Sequence, residues 1–262
     1  MKPNAKGAVS FDDLRQLLIR LRSPGGCPWD RQQTPESLKT YLLEETYELA
    51  EALDRQSPAE IQEELGDLLF ILLFISRVYE ERGAFDLDRV LTTIHQKMVR
   101  RHPHVFGEAD WKKAEEVVKG WQTIKAEENP EKNPFDSIPA ALPSLLKAHR
   151  LSQRAAGLGF EWPDLAAVVK KAHEEMAELE EALRESDPEA AREELGDLLF
   201  VLVNLGRLLG TTAENILRQT NLKFQKRFLR LLADPDFQGA GTAARTAEEW
   251  TARWNRTKTD PD

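Results

Sequence analysis

Among its 262 residues the chain has one cysteine, Cys27. A lone thiol excludes an internal disulfide framework and fits a reducing compartment. With no activating pattern around it, Cys27 reads as structural rather than nucleophilic. An amino-terminal apolar core is also missing, so Met1 to Ser10 does not read as a signal peptide. The longest apolar run, Leu68 to Ile75, is far too short to span a bilayer. There is no basic surplus either. A formal net charge of −9 argues against a general nucleic-acid binder, though not against a small anion held by a few cations. Glycine and β-branched residues are sparse in the periodic stretches, and no alternating strand pattern is found. These absences predict a soluble, cytoplasmic, all-α protein with neither nucleic acid nor membrane as partner.

Leu, Ala, Glu and Arg fill the periodic stretches, as helices require. Leu65, Leu68, Leu69 and Leu72 recur at i, i+3, i+4 and i+7, and so do Leu195, Leu198, Leu199 and Leu202. Ser57-Pro58-Ala59-Glu60 predicts a helix start, with Ser57 as cap, Pro58 in the first turn and Glu60 closing a capping box. Asp187-Pro188 plays the same part later. Four prolines between Pro130 and Pro143 cannot continue a helix, so residues 127–143 read as a linker between domains 1–126 and 144–262. After Ala233 come Asp234-Pro235, a Gly/Ala stretch and a short helical pattern around Thr246 to Trp254.

One acidic pattern occurs twice, 130 residues apart. Glu44, Glu45 and Glu48 precede Glu64 and Asp67, and Glu174, Glu175 and Glu178 precede Glu194 and Asp197. Residues 44–74 and 174–204 match at 17 of 31 positions, enough to mark an internal repeat. Each copy reads as a helix–turn–helix, whose short turn makes the helices antiparallel neighbours. Residues at equal height in such a hairpin have a constant index sum. Glu45 then lies opposite Asp67 and Glu48 opposite Glu64, about a turn at residue 56. Glu175 lies opposite Asp197 and Glu178 opposite Glu194, about residue 186. The two rows are about 4.5 Å apart along the axis, a spacing suited to one or two hard cations, Mg²⁺ or Mn²⁺. Iron-binding carboxylate bundles use Glu-x-x-His, and none of the five histidines has a Glu three positions before it. Residues 68–75 and 198–203 are apolar all round and read as buried, so a carboxylate beside them needs a partner. Gly66 and Gly196, which weaken a helix by about 1 kcal/mol each, suggest a close approach to the backbone.

The two acidic motifs, with Gly25-Gly26-Cys27-Pro28-Trp29-Asp30 and Arg100-Arg101-His102-Pro103-His104-Val105-Phe106, resemble the MazG-type all-α nucleoside triphosphate pyrophosphohydrolases. The doubled arrangement is similar to the two-domain members. The resemblance covers essentially the whole chain. It implies two tandem MazG-like helical domains that hydrolyse NTPs or dNTPs to the monophosphate and pyrophosphate with Mg²⁺, as nucleotide-pool housecleaning. By motif position it implies Glu175, Glu178, Glu194 and Asp197 as ligands, with Glu174 a further acid. The first-domain set is Glu44, Glu45, Glu48, Glu64 and Asp67. It also implies that the carboxy-terminal domain can carry the activity while the other serves structure or regulation.

A triphosphate needs further cations. Lys223 and Arg227 stand at i and i+4, and Lys97 and Arg101 repeat that spacing. Trp254 and Lys258 repeat Trp121 and Lys125, and a tryptophan can stack on a base. Asn221 is a candidate for a sugar or phosphate contact. His102 and His104 flank Pro103 at a predicted helix end and read as capping or surface groups. The apolar stretches exceed what a lone hairpin covers, so a homodimer completing a four-helix bundle is expected, as the resemblance also implies. The competing reading is a non-catalytic helical module that senses nucleotides.

Overall fold

The computed structural model describes residues 9–128, 133–233 and 246–257. Lys258, residues 129–132 and the Gly/Ala stretch at 234–245 lie outside the described residues. Among those described there are twelve helices and no strand. They are α1 (Phe11–Arg22), α2 (Pro28–Gln32), α3 (Pro35–Arg55), α4 (Pro58–Glu81), α5 (Leu87–Arg101), α6 (Pro103–Phe106) and α7 (Ala114–Glu128). There follow α8 (Ser144–Gly157), α9 (Leu165–Arg184), α10 (Pro188–Leu208), α11 (Ala213–Ala233) and α12 (Ala247–Thr257). No single helix among the described residues is long and apolar enough to cross a membrane. The chain divides into two compact units, Met1–Val117 and Val118–Asp262, so the division falls inside α7.

The first unit is built on the α3/α4 hairpin, with α1 packed on α4. α3 starts where Thr34 accepts from the Ser37 N–H, Ser37 returns the bond and Pro35 fills the first turn. It ends at Gln56, whose left-handed φ of 53° turns the chain towards α4. The expected capping box at Ser57 does not form. Ser57 stands at the cap position without a side-chain capping bond, and Glu60 pairs with Arg55 at 3.2 Å instead. Leu18, Leu38, Leu73, Phe74, Val78 and Leu87 form the core. Arg22 ties α1 and α2 to the hairpin. Its guanidinium donates to both Glu81 oxygens and to the carbonyls of Asp30 and Gln33, and lies 5.3 Å from the Phe74 ring centroid. At the far end of α5, the His102 ring lies 2.6 Å from the Met98 carbonyl and Pro103 begins α6, as the sequence suggested.

The second unit repeats the plan with different fastenings. α9 and α10 form its hairpin, α8 and α11 pack on α10, and α12 lies on α11. Asp187 caps α10 by accepting from the N–H groups of Glu189 and Ala190. Ser186, with φ 57°, makes the left-handed turn that Gln56 makes in the first unit. Arg207 now comes from the hairpin helix α10 and reaches Ser152 at 2.8 Å and the Glu161 carboxylate at 2.5 and 2.7 Å. Ser152 donates in turn to the buried Asn204 side chain. Each polar cluster joins α1 or α8, and the segment that follows it, to the second hairpin helix.

The apolar stretches are buried on one face only, which corrects the expectation of all-round burial. Leu73 and Phe74 are inside, while Leu69 and Leu72 are exposed. Leu198, Val201 and Val203 are inside, while Leu199, Phe200 and Leu202 are exposed. A hairpin offers only one covered face, and the opposite face carries a leucine stripe at Leu65, Leu69 and Leu72, repeated at Leu195, Leu199 and Leu202.

Candidate active site

The hairpins bring the predicted acids together. Glu45, Glu64 and Asp67 each offer an oxygen, and the three atoms lie within 4.8 Å of one another. Glu175, Glu194 and Asp197 do the same in the second unit. Glu48 faces Glu64 closely enough to raise its pKa by charge and hydrogen bonding, and Glu178 acts on Glu194 by charge. Neither Glu48 nor Glu178 belongs to the three-oxygen groups, each standing beside its group. Glu44 is exposed on α3. Gly66 and Gly196 do not mark a close approach within the chain, since a Cβ at either would meet nothing within 4 Å.

Clustered carboxylates without a cation repel. Burial, and then Asp67 and its neighbours, hold Glu45 above the usual carboxylate range. Burial followed by Glu48 does this to Glu64, and burial followed by Glu178 to Glu194. Three carboxylate oxygens gathered within 4.8 Å are chemically matched to a hard divalent cation, which would remove the repulsion and take oxygen ligands. Mg²⁺ or Mn²⁺ therefore fits the residues present.

The sign of the pH effect follows. Groups with raised folded pKa values bind protons more tightly in the fold than in the unfolded chain, where the ordinary value is 4.5. Their stabilising contribution is complete below that value and is lost as the pH rises through the raised ones. Added Mg²⁺ should therefore raise the melting temperature more at pH 7 than at pH 5. Thermal denaturation at both pH values, with and without Mg²⁺, checks this; an equal shift at both would count against a shared cation site.

One residue at the second cluster was not singled out in the sequence. Lys171 Nζ lies 2.7 Å from Glu174 Oε1 and 2.9 Å from Glu175 Oε1. These hydrogen bonds push Lys171 above the ordinary lysine range and hold Glu174 below the ordinary carboxylate range. Glu175 is only 5% exposed, the most buried of the acids in either cluster. A lysine three and four residues before two glutamates was the available signal, but the same spacing is common on solvated helix faces.

The other candidates lie on neighbouring helices. Lys223, Arg227 and Asn221 are on α11, and Trp254 is on α12. Trp254 packs against Phe224 with ring centroids 5.0 Å apart, while Trp250 stacks on Phe228 at 6.1 Å. This aromatic ladder seats α12 on α11 and was not foreseen from sequence. Among the described residues, no hydrogen bond or ion pair joins Lys223 or Arg227 to the acidic cluster. Lys97 and Arg101 occupy the last turns of α5, and Lys97 lines an open groove of about 410 Å³ with Phe85, Arg89, Val90, Thr93 and Ile94. Trp121 and Lys125 are on α7, beyond the division between the units and so on the side of the second.

The same segments match a family model. Residues 33–106 and 165–229 match the MazG nucleotide pyrophosphohydrolase domain, one segment for each acidic hairpin. The chain belongs to the MazG family. The two MazG segments lie on either side of residues 127–143. A curated relative from Thermotoga maritima, named nucleoside triphosphate pyrophosphohydrolase/pyrophosphatase MazG, is 42% identical over 86% of this chain and 87% of its own length. A nucleoside triphosphate pyrophosphohydrolase of Escherichia coli is 40% identical over 91% of this chain and 94% of its own. The crystal structure of a MazG-related protein from Thermotoga maritima is 30% identical, with a TM-score of 0.39 over 44% of this chain and 97% of that one.

Proposed function

We propose that the chain hydrolyses nucleoside triphosphates to the nucleoside monophosphate and pyrophosphate, and that this removes unwanted nucleotides from the cytoplasmic pool. The doubled acidic hairpin supports this most directly, because each copy gathers three carboxylate oxygens within 4.8 Å inside a segment matched to the MazG domain. The curated relatives named for this activity align over nearly their full lengths.

In this reading Glu175, Glu194 and Asp197, with Glu178 beside them, would hold Mg²⁺. Glu45, Glu64 and Asp67, with Glu48, are the counterpart set. The bound ion would neutralise phosphate charge and acidify a water molecule. The protein's own groups do the rest. Lys223 and Arg227 bind phosphate oxygens, as does Lys258 beyond the described residues, and the Arg can grip two oxygens at once. Trp254 offers a ring face to the base, and Asn221 a polar contact to the sugar or phosphate. Proton acceptance falls to a carboxylate of the cluster. Glu174 and Glu175 are the candidates for that acceptor. Lys97 and Arg101 would serve the first copy if it also turns over. Incubation with a nucleotide panel and Mg²⁺, followed by separate detection of monophosphate and pyrophosphate, tests the reaction. Binding of nucleotide without either product would favour the non-catalytic sensing module.

The same reading includes a homodimer in which two hairpins complete a four-helix bundle. Its support is the exposed stripe Leu65, Leu69 and Leu72, repeated at Leu195, Leu199 and Leu202. The double variant Leu199→Asp/Leu202→Asp should sediment as a monomer at concentrations where the wild type is dimeric. A dimer of unchanged affinity would place the interface elsewhere.

A further inference from the structure

Lys171 makes the two copies chemically unequal. The position 130 residues earlier holds Tyr41, whose ring lies edge-on to Trp29 at 5.8 Å and packs against the first core. Among the described residues, no ion pair reaches Glu45, Glu64 or Asp67. The second cluster, by contrast, has an ammonium on Glu174 and on Glu175, and Glu175 is one of its three converging carboxylates. The i,i+3 and i,i+4 spacing on one helix places that ammonium within reach of both acids. A divalent cation held by Glu175, Glu194 and Asp197 must share Glu175 with a positive charge or displace it, and at such distances like charges repel strongly.

We propose that Lys171 is the internal counter-ion of the second acidic cluster. It orders Glu174 and Glu175 before a divalent cation arrives, and it must release Glu175 when the cation is held. The first cluster has no such competitor and fills at lower cation concentration. Lys171 is thus a positioning residue that sets the metal concentration at which the second site loads. This rests on the reading of the carboxylates as a cation site.

The test is direct Mn²⁺ binding to the full chain, followed by the electron paramagnetic resonance signal of free Mn²⁺. In a background with the first cluster disabled by Glu45→Gln and Asp67→Asn, Lys171→Met should bind Mn²⁺ about tenfold more tightly. Lys171→Arg, which keeps the charge, should stay close to the background affinity. In the opposite background, Glu175→Gln with Asp197→Asn, Tyr41→Lys should weaken the first site about tenfold. Mn²⁺ binding that is unchanged or weaker in Lys171→Met would overturn the counter-ion role alone. Absence of Mn²⁺ binding to the wild-type chain would overturn the metal reading and this role with it. Lys171→Gln repeats the measurement should the methionine variant fold poorly.

Discussion

Alanine at Asp197 is expected to cut pyrophosphate release by roughly 10²–10⁴-fold, the loss of about 3–5 kcal/mol of transition-state stabilisation. Asp197 is the exposed member of the second three-oxygen group. It supplies an oxygen without filling core space, so its removal should leave the fold intact. The matching change at Asp67, in the first cluster, should cost much less if the second copy carries the work. Initial rates of pyrophosphate formation by the two variants, with circular dichroism to verify folding, decide the point. Near-wild-type turnover by Asp197→Ala would remove the second cluster from the mechanism. Loss confined to Asp67→Ala would transfer catalysis to the first.

Phe74→Ala should destabilise the first unit by about 3–5 kcal/mol. The ring is 1% exposed, belongs to one core with Leu18 and Leu38, meets Phe70 edge-on at 6.0 Å and lies beside the Arg22 guanidinium. Truncation leaves a cavity and takes the aromatic face from the cation that fastens α1 and α2 to α4. Denaturant titration should show the loss in the first transition to unfold, with the second unit's transition nearly unmoved. A change below about 1 kcal/mol would mean that the core collapses around the gap.

The acids were legible before any coordinates because a hairpin obeys arithmetic. Index midpoints at 56 and 186 fall on Gln56 and Ser186, the two non-glycine residues with positive φ among those described, and acids from both helices meet across each hairpin, with Glu48 and Glu178 outside the three-oxygen groups. The leucines were legible as helical but not as inner or outer. Periodicity marks Leu68, Leu69 and Leu72 alike, and the packing of α3 and α1 on α4 decides which of them is covered. Ser57 misled because a cap sequence states what a side chain can do, and Arg55 competed successfully for Glu60. The Phe224–Trp254 and Phe228–Trp250 pairs were out of reach because they join helices whose connection, residues 234–245, gives no spacing rule. Lys171 was hidden by ordinariness, since its spacing to Glu174 and Glu175 is the commonest way for surface helices to pair charges.

The turns at Gln56 and Ser186 act as length gauges. One residue more in either turn would move every acid on the following helix by about 1.5 Å and about 100° relative to its partners. Glu64 and Asp67, or Glu194 and Asp197, would then point away from the opposite row while the helices themselves survived. Both copies keep the same number of residues between their acids, with a left-handed residue, Gln56 or Ser186, two positions before the proline that opens the second hairpin helix. Chain length at these two points is therefore itself part of the geometry of the candidate sites, and a deletion there would scatter the acids as surely as the loss of one of them.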